Sequence, residues 1–264
     1  MKRMLALFLC CLCLLCLTAC GTKEPELEYH ISKRQIEHST GDISLTVHEY
    51  DDEWRMLSAK TYLNGELSSE LEYSYSEGGE LMTVKTSSKL YGESTAEYRQ
   101  EFDAAGKLIK STSYNNGELV GSTEYSYDAE GRETELISRD PSGEIYSKLV
   151  YEYDKKGNLI SQSLETSAYT SRQEHSYDKA GQLISTKSYR NGSLEGHTEY
   201  TWEDGVRHGS SYDGEDKLIG TSHALHDDFG NVLLEDSYDK LGTQQLITRY
   251  EYIGTDGSVT SGIS

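Results

Sequence analysis

The chain has 264 residues, a formal net charge of −20 and 35% hydrophobic residues. So large an acidic excess excludes the basic footprint that nucleic-acid binding needs and opposes a body lying flat on anionic lipid. Only two prolines occur beside 21 tyrosines and 24 glycines, a composition that suits long, uninterrupted β-ladders with many turns.

In chain order, Met1-Lys2-Arg3 is a short positive start, and Leu5 to Leu17 is an apolar run holding Cys10, Cys11, Cys13 and Cys16. The run is too short to span a bilayer and has the layout of a secretory leader. It closes on Leu17-Thr18-Ala19-Cys20-Gly21, which resembles the lipobox of bacterial lipoproteins. The resemblance implies a signal peptide over residues 1–19, removed by cleavage, and a diacylglycerol on the Cys20 thiol. The protein is then expected outside the cytoplasm, lipid-anchored to the cell membrane or the outer membrane. Residues 20–28 read as the lipidated cysteine and a flexible tether. Cleavage removes two bases and no acid, and leaves Cys20 as the one remaining cysteine. The mature domain must therefore hold together without disulfides.

From His30 to Val47, alternation of Ile43, Leu45 and Val47 with polar neighbours predicts strands. A phrase then recurs: aromatic, Asp, two variable residues, Gly, one variable residue, apolar. It reads Phe102-Asp103 to Gly106 and Leu108, Tyr153-Asp154 to Gly157 and Leu159, and Tyr177-Asp178 to Gly181 and Leu183. Looser copies start at Tyr50, Tyr75, Tyr127 (with Asp128 and Gly131), Trp202 and His226. The step is 24 to 27 residues over eight units. Midway falls a second phrase, Tyr-x-Asn-Gly-x-Leu or a near copy, with Gly65, Gly117 and Gly192. The first phrase predicts a type I turn closed by a glycine at positive φ, and Asn-Gly predicts a two-residue type I′ turn. Counting six residues from each leucine to the next tyrosine places all these rings on one face of a meander. Residues 29–253 are thus expected to be all-β, about eight double-hairpin repeats in an elongated, twisted or curling sheet. Residues 254–264 read as a frayed tail.

The stretch Tyr151 to Leu159 resembles the YD repeat of the RHS family, and the Asn-Gly half-units resemble MORN-type repeats of bacterial lipoproteins and antitoxin-like proteins. The resemblance covers about residues 48–252. It implies hairpin architecture, and RHS proteins build shells from such repeats around a toxin. Glu133 in place of Leu and Val206 displacing a Gly mark degenerate copies.

The aspartates Asp103, Asp128, Asp154 and Asp178 read as turn caps rather than a calcium row, since no calcium-binding loop pattern is present. His223, His226, Asp227 and Asp228 are the nearest thing to a metal cluster, but positions 223 and 226 of a strand face opposite ways. No catalytic motif or cofactor-binding pattern occurs, so neither an enzyme nor a cofactor is expected. The candidate ligand face is Tyr114, Tyr125, Tyr127, Tyr151, Tyr153, Tyr177, Tyr189 and Tyr200, where a ring face and a hydroxyl combine. The sequence therefore points to a tethered binding or scaffold module for a glycan or protein. An immunity-type lipoprotein that sequesters one protein is the alternative, and a hydrolase using scattered carboxylates comes last.

Overall fold

The computed structural model describes residues 28–263. Among the described residues nineteen strands follow one another without a helix. They begin with β1 (Tyr29–His38), β2 (Ile43–Tyr50), β3 (Met56–Leu63), β4 (Glu66–Tyr75), β5 (Leu81–Ser88) and β6 (Gly92–Phe102). Next come β7 (Leu108–Asn115), β8 (Glu118–Tyr127), β9 (Glu133–Arg139), β10 (Ile145–Tyr153), β11 (Leu159–Thr166) and β12 (Thr170–Tyr177). The last are β13 (Leu183–Arg190), β14 (Ser193–Glu203), β15 (Val206–Asp213), β16 (Leu218–His226), β17 (Val232–Asp239), β18 (Gln244–Gly254) and β19 (Val259–Ser261). The expected signal peptide, Cys20 and most of the tether lie outside the described residues. The segment expected to fray carries β19, which pairs with β18 through Glu251↔Ser261.

The all-β antiparallel meander is as the repeats require, but the sheet is not open. β1 pairs with β18 from Tyr29↔Gly254 to His38↔Leu246, which closes the first eighteen strands into a barrel. Closure removes both long edges, whose unpaired N–H and C=O groups would otherwise template aggregation. Following the register once round the sheet returns to β1 displaced by about 20 residues. For eighteen strands that shear gives a tilt of about 40° and a wall about 17 Å from the axis. A barrel of this girth has a bore rather than a packed interior. Consistent with that, none of the described large side chains is fully buried.

Backbone geometry decides which face looks inward. Ile43, Thr95 and Thr170 accept from the N–H groups of Asn64, Asn116 and Asn191, and their own N–H groups donate to the same asparagine side chains. Their peptide groups thus point toward the following strand, and for an L residue that direction sets the face its side chain takes. The register climbs in one sense and sheet twist has a fixed hand, so the face bearing these three residues is the convex one. Burial agrees in the main: Thr46, Ala59, Val84, Ala224, Thr248 and Tyr252 are buried on the concave face, where neighbouring side chains converge, against Ser58 and Ser161 on the convex face.

The two faces differ in chemistry. The convex face carries the cross-strand ion pairs Lys60–Glu70 (3.3 Å) and Lys148–Glu135, with Arg99–Glu97 (2.9 Å) and Arg172–Glu174 (2.6 Å) along single strands. At the closing seam, Lys33–Glu251 (2.9 Å) and Arg249–Glu37 (3.3 Å) join β1 to β18. Burial pushes the Glu251 carboxyl up, but bonds from Lys33 and Ser32 outweigh it and leave it below the ordinary range. Basic residues facing lipid at mid-membrane cost about 2–4 kcal/mol each. A convex face so dense in charge is the opposite of the apolar band that a membrane-spanning barrel presents to lipid.

Candidate functional site: a tyrosine collar inside the barrel

The turns of the barrel fall into two sets, one at each mouth. At one mouth lie the Asp-x-x-Gly turns after even-numbered strands. Asp103 Oδ1 accepts from the N–H groups of Ala105 (2.8 Å) and Lys107 (2.9 Å), and Asp154 Oδ1 from those of Lys156 and Asn158. Asp128 and Asp178 accept from Arg132 and Gln182 in the same way. Gly106, Gly131, Gly157 and Gly181 take φ of 82° to 92°. At the other mouth Gly65, Gly117 and Gly192 take φ of 80° to 84°, each preceded by an asparagine that is itself left-handed.

Just inside the first mouth, every even-numbered strand sends one large side chain into the bore: Tyr50, Tyr75, Phe102, Tyr127, Tyr153, Tyr177, Trp202, His226 and Tyr252. Seven of these donate to a backbone carbonyl on the preceding strand. Tyr50 reaches Ile31 (2.8 Å), Tyr75 reaches Met56 (2.9 Å), Tyr127 reaches Leu108 (2.7 Å) and Tyr153 reaches Glu133 (2.9 Å). Tyr177 reaches Leu159 (2.9 Å), the Trp202 indole N–H reaches Leu183 (2.9 Å) and Tyr252 reaches Val232 (3.1 Å).

The seven acceptors share a cause. Each lies at a register shift beside a turn, where an extra residue drops out of the ladder and leaves its carbonyl without a strand partner. The phenol or indole supplies the missing donor, as a half-buried carbonyl requires. The two collar positions without such a donor, Phe102 and His226, follow the hairpins β4–β5 and β14–β15, which pair without any shift. There the Gln100 N–H already bonds the Glu80 carbonyl, and the His226 N–H bonds that of Gly205. The aromatic of the repeat is thus matched to the bulge it covers. Burial raises the Tyr50 hydroxyl to about 12 and also raises those of Tyr177 and Tyr252, so all three stay donors at neutral pH.

A second tier lies one inward position deeper: His48, Tyr73, Tyr125, Tyr151, His175, Tyr200 and Tyr250. Below it runs a belt of neutral polar groups, with Thr123–Ser138 (3.1 Å), Thr198–Ser211 (3.0 Å) and Thr46–Thr61 (3.2 Å) bonded hydroxyl to hydroxyl. Burial lowers the basicity of His48, His175 and His226. Deeper in the bore charges are few, notably the Arg207–Glu235 pair (3.6 Å), but at the collar Arg55 (5.0 Å), Lys107 (4.9 Å) and Arg132 (4.6 Å) lie over the rings of Tyr75, Tyr127 and Tyr153.

Of the tyrosines expected on one ligand face, Tyr125, Tyr127, Tyr151, Tyr153, Tyr177 and Tyr200 line the bore together. Tyr114 and Tyr189 do not. They stand on the convex face under the guanidinium groups of Arg99 (4.5 Å) and Arg172 (5.1 Å). Between Leu108 and Tyr114 the bulge residue Ile109 is inserted, and between Leu183 and Tyr189 the bulge residue Ile184, and each defeats the count of six from leucine to tyrosine.

Sequence reading also missed Trp54. It takes φ 62° at a turn position where other units place glycine, and its ring stacks on His30 at 4.8 Å and 6°. The one signal was the missing glycine after Asp51. His223 faces outward with Nδ1 2.8 Å from Asp236 Oδ1, whereas His226 faces the bore, so these two histidines do not converge.

A family model described as an uncharacterised protein matches residues 122–215, which run from β8 into the turn after β15. No curated protein matches the chain. Among solved structures, a porin-like protein from Bacteroides uniformis ATCC 8492 is similar at 12% identity, with 84% of this chain and 97% of that one covered and a TM-score of 0.49. A porin-like protein from Bacteroides vulgatus ATCC 8482 is similar at 10% identity, covering 84% and 98%, with a TM-score of 0.34. A chain of the complex TcdB2-TccC3-Cdc42 is similar at 13% identity over 83% of this chain but 20% of its own length, with a TM-score of 0.30. At these identities and scores nothing about ligands or membrane insertion passes from those proteins to this chain.

Proposed function

We propose that the protein is an extracytoplasmic, lipid-anchored cradle that holds a glycan or polypeptide guest against the concave wall of its barrel. The observation that carries this reading is the split between faces: charge is concentrated on the convex wall and at the mouths, while the bore is lined by rings, hydroxyls and amides. Ligand sites are concave, rich in aromatic groups and furnished with a few neutral hydrogen-bonding partners. The Cys20 lipobox supports the anchoring. β1 starts at the collar mouth, so a tether ahead of Tyr29 leaves the barrel at that end. The repeat resemblance supports a shell-like role.

A bore roughly 20 Å across admits an α-helix, whose diameter is about 10–12 Å, and this width favours a sequestered polypeptide as the second reading. Cysteine accessibility tests the cradle. Ser111→Cys places a thiol in the bore and Thr112→Cys places one outside it. Maleimide labelling in intact cells is expected to be slow at 111 and fast at 112, and equally fast at both after purification. Equal labelling at both positions in cells would contradict a guest in the bore.

A further inference from the structure

The convex wall between β14 and β17 carries a group of side chains that the cradle leaves unused. Opposed residues of adjacent strands line up there as Thr201, His208, His223 and Asp236, one from each strand. The ring centroids of His208 and His223 are 5.1 Å apart, with their planes at 76°. Two imidazoles on one tetrahedral ion, each nitrogen about 2.0–2.1 Å from it, place their centroids roughly 5.2 Å apart. The pair already stands at ligand spacing.

His223 is also oriented. Its Nδ1 lies 2.8 Å from Asp236 Oδ1, and the Tyr238 hydroxyl donates to the other oxygen of that carboxylate at 3.2 Å. A neutral imidazole that gives its Nδ1 proton to a carboxylate keeps its lone pair on Nε2, the arrangement that fixes the tautomer of metal-bound histidines and raises their basicity. Val206, Leu225 and Leu234, two residues along on the same face, flank the row with apolar groups. No Lys or Arg is opposed to the row to repel a cation. Among the described residues no third histidine, cysteine or carboxylate completes a ligand set. Imidazole nitrogens favour zinc and copper over magnesium and calcium. We infer that His208 and His223 form a surface site for a borderline transition-metal dication, zinc(II) or copper(II). Asp236 is its positioning residue, and water fills the remaining positions.

The test is titration calorimetry with zinc chloride, in excess magnesium, on untagged protein starting at Gly21, which has no thiol. One saturable site is expected. His208→Gln and His223→Gln should each abolish it. Asp236→Asn should weaken it about tenfold without moving the metal-free melting temperature. His197→Gln is the control, since His197 lies on the same face 3.7 Å from Asp216 but opposite no second histidine, and it should leave binding unchanged. Electron paramagnetic resonance of bound copper(II) gives a readout that a loss of folding cannot mimic, and coupling to two imidazole nitrogens is expected in the parent protein. Absence of saturable zinc binding, its survival in either His208→Gln or His223→Gln, its loss in His197→Gln, or copper without two nitrogen ligands would overturn the inference. The cradle stands or falls separately, on the thiol at position 111.

Discussion

The pairing of collar donors with bulge carbonyls predicts an unusual pattern for a small perturbation. Tyr177→Phe removes one oxygen and leaves the ring in place, so packing is kept while the Leu159 carbonyl loses its 2.9 Å donor. A hydrogen bond of this kind contributes about 0.5–1.5 kcal/mol net, and a half-buried acceptor stripped of its partner puts the loss near the upper part of that range. For a domain of this size about 1 kcal/mol corresponds to a drop of roughly 2–4 °C in melting temperature. Tyr153→Phe should cost the same for the same reason, since its hydroxyl serves the Glu133 carbonyl. The reverse change at Phe102 is the internal control. Phe102→Tyr adds a hydroxyl where β4–β5 pairs without a shift, and no stabilisation is expected. Thermal unfolding followed by far-ultraviolet circular dichroism measures all three. Melting temperatures unchanged within 1 °C in both Tyr→Phe variants, or a rise in Phe102→Tyr, would refute the matching of rings to bulges.

Other consequences follow from the turns and from titration. Gly106→Val, at φ 82°, forces a β-branched residue into the left-handed region and should destabilise by about 1–2 kcal/mol, read as a lower midpoint in urea. Asn116→Ala removes both a residue tolerant of φ 49° and the acceptor for the Thr95 N–H, and a loss of about 1–2 kcal/mol is expected in the same assay. Acid should weaken the barrel in two stages. Burial holds His48, His175 and His226 below their ordinary value, so the unfolded chain binds protons first as pH falls through about 6.5, and stability drops from there. The turn carboxylates Asp128, Asp154 and Asp239 are held low by bonds from their own turns, outweighing burial. Their contribution is present above about pH 4 and is lost as pH falls through their folded values. A melting temperature flat from pH 8 to 5 would contradict the first stage.

Much of the architecture is local and could be read from the chain. Asp103 with Gly106, and Asn116 with Gly117, each specify a turn within five residues, and the strands between them follow. What could not be read depends on long separations or on single inserted residues. Closure pairs Gln35 with Arg249, and nothing in the repeat phrase distinguishes an end strand that meets another from one that meets water. The division of tyrosines between faces depends on bulges, so Tyr114 and Tyr125, which look equivalent by spacing, stand on opposite sides of the wall. The donor role of the collar rings was invisible for the same reason, since an orphan carbonyl exists only once the bulge is known. Phe102 and His226 were the visible trace of it, as the two copies in which the repeat gives up its hydroxyl or indole.

Closure of the sheet is the claim on which bore, collar and cradle all depend, and a disulfide across the seam tests it most directly. Ile36 of β1 and Thr248 of β18 are direct partners on the concave face. Opposed residues of an antiparallel pair have Cα atoms about 4.5–5.5 Å apart, within the span a disulfide bridges. Ile36→Cys with Thr248→Cys, in a form starting at Gly21 and so without other cysteines, should oxidise to a monomeric intramolecular disulfide in near-complete yield and raise the melting temperature. In an open sheet the same residues lie at opposite ends, so free thiols or only intermolecular cross-links would contradict the barrel.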